Sequence, residues 1–317
     1  MRKMVSNFLK KIGFKNINDK QMKVSVVVLC YNGEKYLRDR LSSIINQTSK
    51  PDEIVFLDDA STDNSLKLAK EILKPSKIKY RIIKNWRNEG CARQIIKGIK
   101  KSKSDFVWIA EQDDYCSGNF LENIKKMYAD DETNVYFCKS IPVDERNNKL
   151  KHYYIDEEEI LDDFCVDGKS FVENNLCIKN TVYNISSVVF KKNALKNVYE
   201  YMKQFNVFYD WIMYVYALRG GKICYCSTVL NYHRRHNESI IAKYKGSNFY
   251  YEDLFCMKNY ILDNFTISEE NMDIMLFEMY REYLKCGSEN DKSTDIRRHP
   301  YLGAKYQEFH NKINERR

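Results

Sequence analysis

Lys23-Val-Ser-Val-Val-Val-Leu-Cys-Tyr31, followed at once by Asn32-Gly33, is the stretch from which the rest of the chain can be read. A β-branched run closed by a turn pair is the pattern of a buried strand. Helical spacing then takes over at Tyr36, Leu37, Leu41, Ile44 and Ile45, and Pro51 breaks the chain before a second strand, Glu53 to Leu57. The polar turn Asp58-Asp59-Ala-Ser-Thr-Asp63-Asn64-Ser65 can cap the next helix, whose apolar positions are Leu66, Leu68, Ala69, Ile72 and Leu73. A strand at Tyr80 to Ile83, a helix near Ala92 to Ile99 and a strand at Asp105 to Ala110 continue the alternation. Strand and helix alternating in this way predict an α/β fold, a mostly parallel sheet flanked by helices on both faces.

Beyond Asp114 the pattern loosens. It predicts a helix near Phe120 to Tyr128, a strand Asn134 to Cys138 and an acidic loop from Asp156 to Asp163. A strand Ile185 to Phe190, helices Ala194 to Lys203 and Tyr209 to Leu218, and a strand Ile223 to Cys226 follow. From about residue 248 the signals are helical throughout, with a capping-box spacing from Thr266 to Glu269. No repeat and no linker rich in Pro, Gly or Ser interrupts the chain, so any second unit packs on the first. The organisation expected is a basic amphipathic segment over 1–22, one α/β domain over 23–240 and a helical C-terminal extension over 241–317.

In 317 residues there are 44% apolar and 30% charged side chains with only 4 Pro, a globular composition that excludes disorder as the main state. The net charge of +8 invites a nucleic-acid reading, but its distribution argues against one. Residues 1–23 hold seven Lys or Arg against Asp19 alone, and residues 292–317 hold seven against three acids, which leaves the body at −2. No apolar run approaches the roughly 20 residues that span a bilayer, and Lys10, Lys11 and Lys15 interrupt any secretory signal. The scattered cysteines, 10 in all, fit reduced thiols of a cytoplasmic protein, and Cys224 and Cys226 fit alternate residues of a strand. Met1, Met4, Val5, Phe8, Leu9 and Ile12 share a helical face in basic company, which reads either as a helix docked on the domain or as a peripheral anchor on the inner face of the membrane.

Ligands of open α/β sheets bind at the carboxyl ends of strands. Three polar clusters stand there: Tyr31-Asn32, Asp58-Asp59 and Glu111-Gln112-Asp113-Asp114. An aromatic ring to stack on a base, a carboxylate to accept its N–H and grouped carboxylates for a hard divalent cation together describe a metal-dependent nucleotide site. The chain carries neither G-x-G-x-x-G nor a P-loop, so a cation must balance the phosphates.

With Gln47-Thr48, Pro51-Asp52-Glu53-Ile54, Asp58-Asp59-Ala-Ser61-Thr62-Asp63 and Asn88-Glu-Gly90-Cys-Ala92-Arg93 added, residues 22 to 240 resemble the family 2 glycosyltransferases of GT-A fold. The resemblance implies an inverting enzyme that moves a sugar from a nucleotide diphosphate, such as a UDP- or dTDP-sugar, to a hydroxyl of a glycan, lipid-linked or protein acceptor. It implies that Tyr31, Asp58 and Asp59 surround the base, that Arg93 lies near the nucleotide, and that Asn32, Glu111, Gln112 and Asp113 bind the nucleotide-sugar. Asp113 then ligates Mg2+ or Mn2+, although Glu111 stands where the family usually has Asp. Single displacement needs one carboxylate to deprotonate the acceptor, and the best match to the family pattern is Asp210 in Phe208-Tyr-Asp-Trp211, at a helix start that favours its ionised form.

Tyr232-His-Arg-Arg-His-Asn237 either meets the pyrophosphate and the metal, with His236 as a ligand, or is a solvated basic strand end. Tyr-Asp-Trp with Gln-Asp-Asp is also similar to rhamnosyltransferase members. The competing readings are a sugar-nucleotide-binding protein without transferase activity and a nucleotidyltransferase, the latter disfavoured by the missing Gly-rich, Lys-bearing phosphate loop.

Overall fold

The computed structural model describes residues 22–151, 160–236 and 239–285, with 303, 304 and 311 besides. The expected N-terminal amphipathic segment, except Met22, lies outside the described residues, as do residues 156–159 of the acidic loop and nearly all of the basic C-terminal stretch.

Four parallel strands come first, β1 (Val24–Cys30), β2 (Glu53–Asp58), β3 (Tyr80–Lys84) and β4 (Phe106–Glu111), in the order β3-β2-β1-β4. Every residue of β1 is buried. Val27 and Leu29 enter one core cluster while Val24, Val26, Val28 and Cys30 enter the other, as expected of a strand covered on both faces. The polar interruption, Ser25, donates to Glu53 Oε1 at 2.8 Å. Register decides what happens at the strand ends. Cys30 stands beside Asp58 and Leu29 beside Glu111, so three strands finish level and deliver their following residues to one edge.

Helix Cys91–Lys101 lies close against this block because of Gly98, where a Cβ would sit 2.2 Å from Val27 Cγ1. On the other face Trp108 of β4 is fully buried, stacked on Phe120 at 4.4 Å, with its indole N–H donated to the Ser186 carbonyl at 2.7 Å.

Past β4 the sheet turns mixed. β8 (Val188–Lys191) pairs antiparallel with both β4 and β6 (Thr133–Val143), and β9 (Lys222–Arg234) runs parallel to β6. The far edge of β9 takes β7 (Phe164–Asp167) at its start and β5 (Tyr115–Cys116) towards its end. The expected strand Ile223 to Cys226 is therefore only the start of β9. Cys138 pairs with Cys226 but Lys139 with Val229, so Ser227 and Thr228 are bulged out and the strand resumes beyond them.

Other expectations are corrected. Ile185–Ser187 is a 3₁₀ turn, and the strand begins at Val188. The helix expected over Ala194 to Lys203 is a 3₁₀ turn Lys192–Leu195 and a short helix Tyr199–Met202, separated by Asn197 at φ 66°. Helix Glu269–Lys285 is capped by Ser268, whose hydroxyl accepts from the Asn271 N–H, rather than from Thr266. Cys165 and Cys224, opposite each other on β7 and β9, form a disulfide, against the expectation of reduced thiols throughout. Cys224 and Cys226 do alternate on one strand and share a core cluster.

The C-terminal helix Asn248–Asn264 shares the main core through Leu254, Met257, Tyr260 and Ile261, followed by Phe265. Among the described residues no helix is long and apolar enough to cross a membrane.

Candidate active site

The level ends of β1, β2 and β4 floor a cleft of about 730 Å³. Its lining includes Tyr31, Asn32, Asp59, Glu111, Gln112, Asp113, Asp210 and His236. Two expected residues are elsewhere. Asp58 is fully buried below the lining, its carboxylate without a hydrogen-bond partner among the described residues. Arg93 is exposed on helix Cys91–Lys101, because Cys91 and Gln94 occupy the turn that faces the cleft.

Reciprocal bonds shape the floor. Gln112 clamps Tyr31 from both directions, its Oε1 accepting the Tyr31 N–H at 2.8 Å and its Nε2 donating to the Tyr31 carbonyl at 2.9 Å. A Cβ at Gly33 would meet Gln112 Oε1 at 2.3 Å, so a larger residue there would displace that amide from Tyr31. Asn32, at φ 49°, accepts the Thr62 N–H on its side chain and donates its own N–H to Ser61 Oγ. Asp59 accepts from the Glu89 and Gly90 N–H groups and from the Asn85 and Gln94 side chains, so its carboxylate is spent on ordering the 85–90 loop. Tyr31 remains 46% exposed, an open ring at the cleft edge.

The acidic tetrapeptide is held by two buried arginines, Arg234 of the Tyr232–Asn237 cluster and Arg40, which sequence reading does not single out. Arg40 Nε donates to the Glu111 carbonyl and Arg234 Nε to the Asp113 carbonyl, each at 2.7 Å. Arg234 also reaches Asn147 and Asp39 and lies over the Tyr36 ring, so its guanidinium is tied into the cleft wall. Of the carboxylates, Asp114 is buried and accepts from the Arg234 N–H and from Asn184 Nδ2. Glu111 and Asp113 line the cleft. His236 Nε2 lies 2.8 Å from Asp113 Oδ2, at the very residue the sequence paired with it as a metal ligand.

The electrostatics follow from this crowding. Burial, then the charges of Asp113, Asp114 and Asp210, push Glu111 well above the usual carboxylate range. Burial also acts to raise Asp113, but the hydrogen bond from His236 and the charges of His236 and His233 outweigh it and hold the group low. Ligand atoms of Glu111, Asp113 and Asp114 lie within 4.8 Å of one another, and hard oxygen donors grouped in this way fit Mg2+ or Mn2+.

Asp210 stands in the first turn of helix Tyr209–Ala217 and accepts the Trp211 N–H at 2.7 Å, with the nearby Asn180 side chain also favouring its ionised form. Burial nonetheless pushes its carboxyl up to about 6. A carboxylate on this wall faces whatever the acidic floor holds.

Comparison with known proteins adds to the geometry. Residues 25–198 match the family model described as glycosyl transferase family 2, a match that stops short of Asp210. Over 224 residues the chain is 26% identical to the glycosyltransferase GlyG of Streptococcus pneumoniae serotype 4, covering 69% of this chain and 72% of that one. It is 35% identical to the glycosyltransferase GlyA of the same organism over 105 residues, 33% of this chain and 15% of that longer protein. Two crystal structures of S. aureus TarS 1-349 share the fold at 19% identity. The complex with UDP superposes with a TM-score of 0.60, covering 83% of this chain and 72% of that one. The complex with UDP-GlcNAc gives 0.62, covering 83% and 73%.

Proposed function

This chain belongs to glycosyl transferase family 2, and on that footing we propose that it is a divalent-metal-dependent inverting transferase acting on a UDP- or dTDP-sugar. The acceptor is a hydroxyl of a glycan, a lipid-linked saccharide or a protein. One observation carries the reading: Asp210, with a carboxyl pushed up to about 6, shares a single cleft with Glu111 and Asp113. The UDP and UDP-GlcNAc bound by TarS support a nucleotide-sugar donor.

In this reading the base of the nucleotide lies against Tyr31 and the loop ordered by Asp59. Asp113 and His236 hold Mg2+ or Mn2+, with Glu111 beside them. The cation supplies charge neutralisation for the departing diphosphate. Asp210 takes the proton of the acceptor hydroxyl as its oxygen bonds to the anomeric carbon from the opposite face. The carbon–oxygen bond to the diphosphate breaks, the diphosphate leaves with the electron pair, and configuration inverts. No glycosyl-enzyme intermediate is required.

A panel of UDP- and dTDP-sugars with Mn2+, read by nucleotide release, tests the proposal. Turnover with at least one donor is expected, lowered by about 100-fold in Asp113→Asn as preorganised charge stabilisation is lost. Silence with every donor, or an unchanged rate in that variant, overturns it.

A further inference from the structure

Helix Asn248–Asn264 contacts the chain on either side of the proposed base without lining the cleft itself. Asp253, 1% exposed, accepts three consecutive backbone N–H groups, those of Asn206 at 2.8 Å, Val207 at 2.5 Å and Phe208 at 3.1 Å. Those residues lead into the helix start that carries Asp210. One turn along, fully buried Lys258 donates to the Cys177 and Ile178 carbonyls at 2.5 and 2.8 Å and lies 4.6 Å from the centre of the Trp211 ring. Cys177 and Ile178 precede Asn180, whose side chain favours the ionised form of Asp210, and Trp211 is the residue whose N–H Asp210 accepts.

We infer that Asp253 and Lys258 are positioning residues for Asp210, forming a clamp in which one C-terminal helix fixes the backbone before the base, the residue after it and the segment leading to Asn180. The inference rests on Asp210 being the base. A carboxylate buried against three aligned N–H groups, and an amine buried against two carbonyls, are each costly to leave unpaired, so both hold their partners in one geometry. The grip of Lys258 survives loss of its charge. Burial brings its ammonium down to about 7, and the neutral amine still has two N–H groups for two carbonyls. Neither residue lies within the segment matched to the family model.

Placement of a base to within a fraction of an ångström is worth far more in rate than in binding. The test therefore compares Lys258→Met, Asp253→Asn and Asp253→Ala with wild type and Asp210→Asn in the full chain. Calorimetric titration with UDP and Mn2+ counts intact donor sites, and nucleotide release is expressed per site, which a loss of folded protein alone does not change. For Lys258→Met and Asp253→Ala, UDP affinity is expected within about twofold of wild type, with the rate per site lowered about 10- to 100-fold. Asp253→Asn, which keeps one acceptor oxygen, should recover part of that loss. Rates per site within about twofold of wild type, or affinity falling in step with rate, overturn the clamp. Should Asp253→Ala yield no UDP sites, Lys258→Met decides. An active Asp210→Asn sinks the base assignment, whereas a silent Asp210→Asn beside fully active clamp variants sinks only the clamp.

Discussion

Asp210 is a carboxyl whose burial opposes the charge its proposed task requires. With its pKa raised to about 6, the ionised form dominates only above that value, so kcat/KM should fall with a single acid limb near pH 6 and stay level above it. A rate unaffected by pH down to 4 would exclude this base. Linkage gives a second consequence. The folded chain prefers the protonated carboxyl, so the stability it confers is complete below the unfolded value of 3.8 and disappears as pH rises through about 6. Asp210→Asn should therefore lower nucleotide release by about 10²- to 10⁴-fold while raising stability at pH 8 by up to about 3 kcal/mol. Urea unfolding at pH 8 and pH 4 checks the sign, since most of the gain should be lost at the lower pH.

Elements built from contiguous pattern were the legible ones. The valine run of β1, the helical spacing up to Ile45 and the turn at Asp58 to Ser65 each state their own conformation, and the parallel block follows from them. What escaped were features set by distant partners. Nothing local marks the residues bulged from β9, the break at Asn197 or the pairing of Cys165 with Cys224. The site divides in the same way. Tyr31, Asp59 and Asp113 are legible as polar residues after strands, whereas Arg40 is a buried cation that donates to a main-chain carbonyl far along the chain, and a guanidinium in a sequence looks solvated by default. Gly98 is the sharpest case, an unremarkable helix residue whose missing side chain admits Val27. Gly98→Ala gains helix propensity but overpacks this contact, and should lower stability by about 1–3 kcal/mol, read as a fall in the urea midpoint.

For the whole molecule, the boundary drawn at residue 240 from sequence separates regions that share a core. Leu254, Met257, Ile261 and Phe265 are buried with the sheet. Each contributes about 1.5–3 kcal/mol, a sum comparable with the entire stability of about 5–15 kcal/mol usual for a domain. A chain ending at 240 should lack a cooperative thermal transition by circular dichroism, and a sharp transition would show that the extension is dispensable. The level finish of β1, β2 and β4 has an evolutionary corollary. Apart from His236, the residues proposed to grip the donor are encoded before Tyr115, and those proposed to serve the acceptor step come after Leu176. Crossing over between those points would exchange what receives the sugar while inheriting intact what delivers it.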